Sequence, residues 1–129
     1  MPAAQATAAA IFLARTGAGK DQIRRYIEET FGYFLSETLA DIRPTYQFDV
    51  SCQGSVPQSI VAFLESNSFE DAIRNAISLG GDADTMACIA GGIAEAFYGG
   101  VPDDIAVRVR ALLDSRLRGV LDEFVERFQ

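Results

Sequence analysis

The chain has 129 residues, 49% hydrophobic and 22% charged, with 18 acidic side chains against 11 basic ones and no histidine. That is one domain's length, with enough apolar material for a core without disulfides or a structural metal, and it excludes a disordered chain. A net charge of −7 argues against a nucleic-acid binder, while the missing histidine excludes Ser-His and Cys-His catalysis and His-ligated metals, so any chemistry rests on oxygen groups and backbone.

Residues 4–15 are alanine-rich, with high helix propensity, and end at the Thr16-Gly17-Ala18-Gly19 break. Within them Ala8 to Ala14 has the look of a signal-peptide core. No basic residue precedes it, however, and the run is far shorter than the ~20 residues a bilayer span needs. No targeting segment and no membrane partner are expected, which points to a cytoplasmic protein. Thr16 to Asp21 carries the glycine and lysine that end a phosphate-binding loop. Ala14 and Asp21 stand where that pattern needs Gly and Ser or Thr, so the segment reads as a turn between helices.

Residues 20–32 form an amphipathic helix with Ile23, Tyr26, Ile27 and Phe31 on one stripe. A short helical piece is expected around Ser36–Leu39, then an ordered loop from Ile42 to Pro57, too aromatic to be a flexible linker. Val56-Pro57 opens the next helix, with Ile60, Phe63 and Leu64 inward. Ser68 and Asp71 make a near capping box for a helix through Leu79, with Phe69, Ala72, Ile73, Ala76 and Ile77 inward. Gly80-Gly81 ends it, and residues 82–98 form another helix, closed by Gly99-Gly100. Pro102-Asp103-Asp104 starts a helix with Ile105, Val109, Leu112 and Leu113 on one face, and a continuation carries Leu117, Val120, Leu121, Phe124 and Phe128. No stretch alternates with period two, so the expected class is all-α, an orthogonal multi-helix bundle in a single domain over residues 1–129. Cys52 and Cys88 form no metal-binding spacing and read as reduced, packed residues.

The stretch from Ser78 to Gly100 holds the chemistry. Asp82, Asp84 and Thr85 stand at the start of a helix whose next residues, Met86 to Ala94, are all small or apolar. Such a helix is buried on all sides, with Gly91-Gly92 permitting close backbone approach, so the polar trio stands at the mouth of a central helix. One Asp there would serve as a helix cap. Two acids flanking one residue repel each other unless a proton or cation lies between them, and hard ions such as Mg²⁺ and Mn²⁺ take carboxylate and hydroxyl oxygens. Spacing alone leaves capping and metal binding both open.

Ala76-Ile77-Ser78-Leu79-Gly80-Gly81-Asp82-Ala83-Asp84-Thr85, followed by Ala87 to Gly100, closely resembles the C-terminal signature of the ADP-ribosylglycohydrolase family, which includes the dinitrogenase reductase-activating glycohydrolases. The resemblance runs from about Ala4 through Ser51 to Pro57 and on to the trailing helices. It implies an all-α fold around a cleft with two divalent ions, Mg²⁺ or Mn²⁺, and hydrolysis of the glycosidic bond of ADP-ribosyl groups. It makes Asp82, Asp84 and Thr85 metal ligands and ADP-ribose, or an ADP-ribosylated substrate, the partner. Ser51, Cys52, Gln53, Gly54 and Ser55, with Gly80 and Gly81, are expected to line the substrate cleft.

The family's N-terminal Thr-Asp-Asp-Thr-like motif and its histidine-containing motif have no counterpart here. The chain is therefore expected to correspond to the C-terminal portion of a longer family domain, with half of the metal site and room for one weakly held ion. The expectations are an enzyme that needs acids from a partner chain, an inactive truncated relative, or a module that binds metal or ADP-ribose. Loss of covering helices would expose apolar surface and favour a homo-oligomer.

Overall fold

The computed structural model describes residues 2–128. Every regular element among them is an α-helix, as expected: α1 (Pro2–Arg15), α2 (Lys20–Phe31), α3 (Leu39–Ile42), α4 (Cys52–Leu64), α5 (Phe69–Ser78), α6 (Ala83–Tyr98), α7 (Asp103–Leu112) and α8 (Ser115–Phe128). The longest of them, α6, is central and is packed by α1, α4 and α5. Small residues set that packing. Ala3, Ala6, Ala10 and Ala14 give α1 a thin buried face. A Cβ on Gly91 would stand 2.7 Å from the Ile73 Cδ1 of α5, and one on Gly92 3.5 Å from the Ile11 Cδ1 of α1. Only the first of these is a close approach, made by the end of a flexible side chain; the second is an ordinary van der Waals distance.

Burial of α6 is less complete than its composition suggests. Met86, Ala90, Gly91, Ile93 and Ala94 are buried, whereas Asp84, Thr85 and Cys88 are exposed. Positions i and i+4 share a helix face, so an open strip runs from Asp84 to Cys88. Both cysteines are free and exposed, which corrects the expectation that they pack in the core: Cys52 is the first residue of α4 and Cys88 lies on this strip.

Two helix starts differ from the sequence reading, each for a local reason, and one buried face differs as well. The short helix α3 starts at Leu39 because Thr38 caps it: its hydroxyl accepts from Asp41 N at 3.2 Å, and the Asp41 carboxylate accepts from Thr38 N at 3.1 Å. Helix α4 begins at Cys52, four residues before the expected opening, because the Ser51 hydroxyl caps Gly54 N at 3.1 Å and pulls Cys52–Ser55 into the first turn. Pro57 is therefore inside the helix rather than at its start. In α5 the buried positions are Ala72 and Ala76, while Ile77, expected inward, is exposed.

The glycine-lysine turn after α1 cradles no anion. Gly17 takes φ +91° and Gly19 precedes α2, with its N–H donated to Gln22 Oε1 at 2.8 Å. The Lys20 ammonium donates to Ser66 O and, at 3.1 Å, to the Tyr98 hydroxyl, above the rings of Phe63, Phe97 and Tyr98 at 5.4–5.6 Å. Lysine here fastens α2 to the α4–α5 corner and the end of α6. The buried core reaches no further than α6: α7 and α8 contain no buried residue.

Candidate functional site

The segment between α3 and α4 brings the two sequence motifs together through Tyr46. Its hydroxyl donates to the carbonyl of Gly54, in the first turn of α4, and lies 3.4 Å from Met86 Sδ in α6. Its ring occupies the space above Gly81, where a Cβ would overlap Cε1 and stand 3.1 Å from Cζ and Oη. Glycine at 81 is thus required by a close approach rather than by a positive φ. Burial, then the carboxylate of Asp49 and, more weakly, that of Asp82 push the Tyr46 phenol above its usual value.

Asp49 completes this junction. Its Oδ1 accepts from Ser51 N at 2.7 Å, and its carboxyl fills the space a Cβ on Gly54 would need. The Ser51 side chain and backbone hold Asp49 below the ordinary carboxylate range. The Ser55 hydroxyl donates to Asp49 O at 2.9 Å. The positive end of α4 is therefore already met by the Ser51 hydroxyl and the Asp49 carboxylate.

At the mouth of α6, Asp82 is the N-cap residue, yet its side chain makes no capping hydrogen bond. Capping, the simplest use of an acid at this place, is not what the Asp82 carboxylate does. Asp84 Oδ1 accepts instead from Thr85 N at 3.0 Å. The Asp84 carboxyl lies below the usual range, first through its hydrogen bond with the Asp82 carboxyl and then through the N–H groups of Thr85 and of Asp84 itself.

Asp84 and Thr85 are exposed and Asp82 is half-buried. The donor set is all oxygen, which suits a hard divalent ion completed by water. Among the described residues, however, no group of three or more His, Cys, Asp or Glu side chains gathers as a metal cluster. Asp82 and Asp84 are the two carboxylates that this helix start brings together.

Of the residues expected to line a substrate cleft, Ser51, Cys52 and Gln53 are exposed, Gly54 is half-buried and Ser55 is buried. Gly81 is half-buried, and exposed Gly80 takes φ +74° in the turn before it. A cleft of about 450 Å³ opens beside them, lined among others by Glu37, Thr45, Tyr46, Asp49, Gly54 and Gln58. Within it the buried Oε1 of Gln58 has no hydrogen-bond partner. Tyr46, Asp49 and Gln58 were not singled out from sequence. The one signal was the aromatic content of the 42–57 segment, which marked it as ordered.

No helix among the described residues is long and apolar enough to cross a membrane. No curated protein and no solved structure matches the chain. The family model for ADP-ribosylglycohydrolase matches residues 2–129, and the chain belongs to the ADP-ribosylglycohydrolase family.

Proposed function

We propose that the chain recognises ADP-ribosyl groups through the junction around Tyr46, with Asp82, Asp84 and Thr85 holding one divalent ion, Mg²⁺ or Mn²⁺. The observation that carries this reading is the pairing of Asp82 with Asp84 at a helix start where Asp82 is not used as the cap. Asp84 meets the first-turn N–H of Thr85 while Asp82 meets none, and two carboxylates this close are costly without a cation or proton between them. When bound, the ion supplies Lewis acidity and a template for sugar hydroxyls.

The protein's own groups do the rest. The Asp82 and Asp84 oxygens and the exposed Thr85 hydroxyl present acceptors to the sugar side of the ligand. The exposed edge Ser51–Gln53 offers the amide side chain of Gln53, the Ser51 hydroxyl being engaged by Gly54 N and Asp49. Because Asp49 and Ser51 already compensate the start of α4, that edge suits sugar hydroxyls better than a diphosphate. Tyr46 keeps this edge and the α6 mouth at a fixed separation, which is what positioning requires. Hydrolysis of the glycosidic bond, the activity of the family, would draw its further carboxylates from outside the described residues.

Calorimetric titration of ADP-ribose with and without Mn²⁺ tests the reading. The expected result is binding that requires the ion and is lost in Asp82→Asn and in Asp84→Asn, with helicity unchanged. Absence of a binding heat in the presence of Mn²⁺, or equal heats in wild type and both variants, overturns it.

A further inference from the structure

Helix α8 carries Leu117, Leu121, Phe124 and Phe128 at spacings of 4, 3 and 4, the pattern of a two-helix seam, with Val120 and Val125 on its flanks. Most of this seam is open: Leu117 is 52% exposed, Phe124 54% and Phe128 58%, while Leu121 is half-buried and Phe124 borders a cavity with Ile11 of α1 and Gly92 of α6. The helix also has little support of its own. It holds 14 residues, has Gly119 in its interior and contributes no residue to the core. Helices of that length are marginal in water without tertiary packing, and an interior glycine costs about 0.5–1 kcal/mol more. A stable α8 therefore calls for a cover.

We infer that the cover is α8 of a second copy of this chain, packed antiparallel across a two-fold axis. Charge along the helix favours this occupant. The first turn carries Arg116 and Arg118, and the last two turns carry Glu126, with Asp122 paired to Arg110 and Glu123 to Arg127. An antiparallel partner lays its acidic end against the basic start and the reverse, a self-complementary arrangement. Area agrees as well. The open apolar side chains of α8 amount to roughly 500 Å² per copy, so a pair covers roughly 1,000 Å² before polar flanks are counted, the size at which specific interfaces begin. Val107, Val109 and Leu112 of α7 are also exposed, and Arg110 of α7 pairs with Asp122 of α8, which ties the two helices into one arm.

Sedimentation of the full chain at micromolar concentration tests the inference. Wild type is expected to sediment as a dimer. Val120→Glu and Phe124→Glu, each checked by circular dichroism for an intact α1–α6 core, are expected to raise the dissociation constant at least tenfold. Ile77→Glu, an exposed apolar position on α5, is expected to leave the dimer unchanged. Three outcomes overturn the inference: a wild-type monomer whose apolar arm stays open to a hydrophobic dye, a dimer indifferent to both α8 variants, or a dimer that Ile77→Glu disrupts equally.

Discussion

The ring of Tyr46 lies in the space that a Cβ on Gly81 would take, so the turn before Asp82 and the segment between α3 and α4 touch because residue 81 is glycine. The same tyrosine donates to the carbonyl of Gly54. One side chain therefore couples the starts of α4 and α6, the elements that carry the family signature.

Gly81→Ala is expected to expel the Tyr46 ring and break its hydrogen bond, at about 1–3 kcal/mol, the usual cost of overpacking. Gly91→Ala is the contrasting case. Its Cβ meets only the terminal methyl of Ile73, which can move, and the gain in helix propensity of about 0.5–1 kcal/mol offsets the crowding. Thermal melts of both variants check this, and equal losses would contradict it.

Replacing Lys20 with Met removes an ammonium that satisfies Ser66 O and the Tyr98 hydroxyl above the rings of Phe63, Phe97 and Tyr98. The expected loss is about 1–3 kcal/mol from the hydrogen bonds and the cation–π contacts together. Phosphate should not stabilise the wild type, because the lysine is engaged and no anion cradle is formed. Denaturant unfolding with and without phosphate measures both effects.

Two carboxyls that cap turns titrate low. Asp41 is held down by the Thr38 hydroxyl and then the Thr38 N–H, and Asp49 by Ser51 in the same way. Folded values below the unfolded ones mean that their stabilisation is present above the ordinary carboxylate range and is lost as pH falls from about 4 downward. The melting temperature should drop over that window, and more shallowly in the Asp41→Asn, Asp49→Asn double variant. An unchanged slope would contradict the assignment.

Both thiols should react in the native state. Cys52 opens α4 and Cys88 lies one turn beyond Asp84 on the open strip of α6. Titration with a coloured disulfide reagent is expected to count two thiols per chain without denaturant, and a buried, unreactive cysteine would contradict the geometry.

The helical class and the order of α1, α2 and α4–α8 were legible in apolar spacing and in the glycine breaks, because those signals are local. Positions that depend on neighbours were not. Ile77 has the spacing of a core residue, yet the face that α5 buries carries Ala72 and Ala76 and leaves Ile77 exposed. Pro57 looked like a helix start because the Ser51 cap, which sets the true one, has no apolar signature. Asp82, Asp84 and Thr85 could be found as a cluster from their spacing. That Asp82 leaves its capping role open depends on side-chain geometry at the helix start, and that Tyr46 bridges the two motifs depends on contacts between residues 35 and 40 positions apart.

Whether the Asp82–Asp84 pair takes a divalent ion is measured directly by titration of Mn²⁺, followed by the loss of its free-ion paramagnetic resonance signal. The expected result is about one ion per wild-type chain, with affinity lowered roughly tenfold or more in Asp82→Asn and in Asp84→Asn. Wild-type protein that leaves the signal unchanged, or variants that bind the ion as well as wild type does, would contradict it.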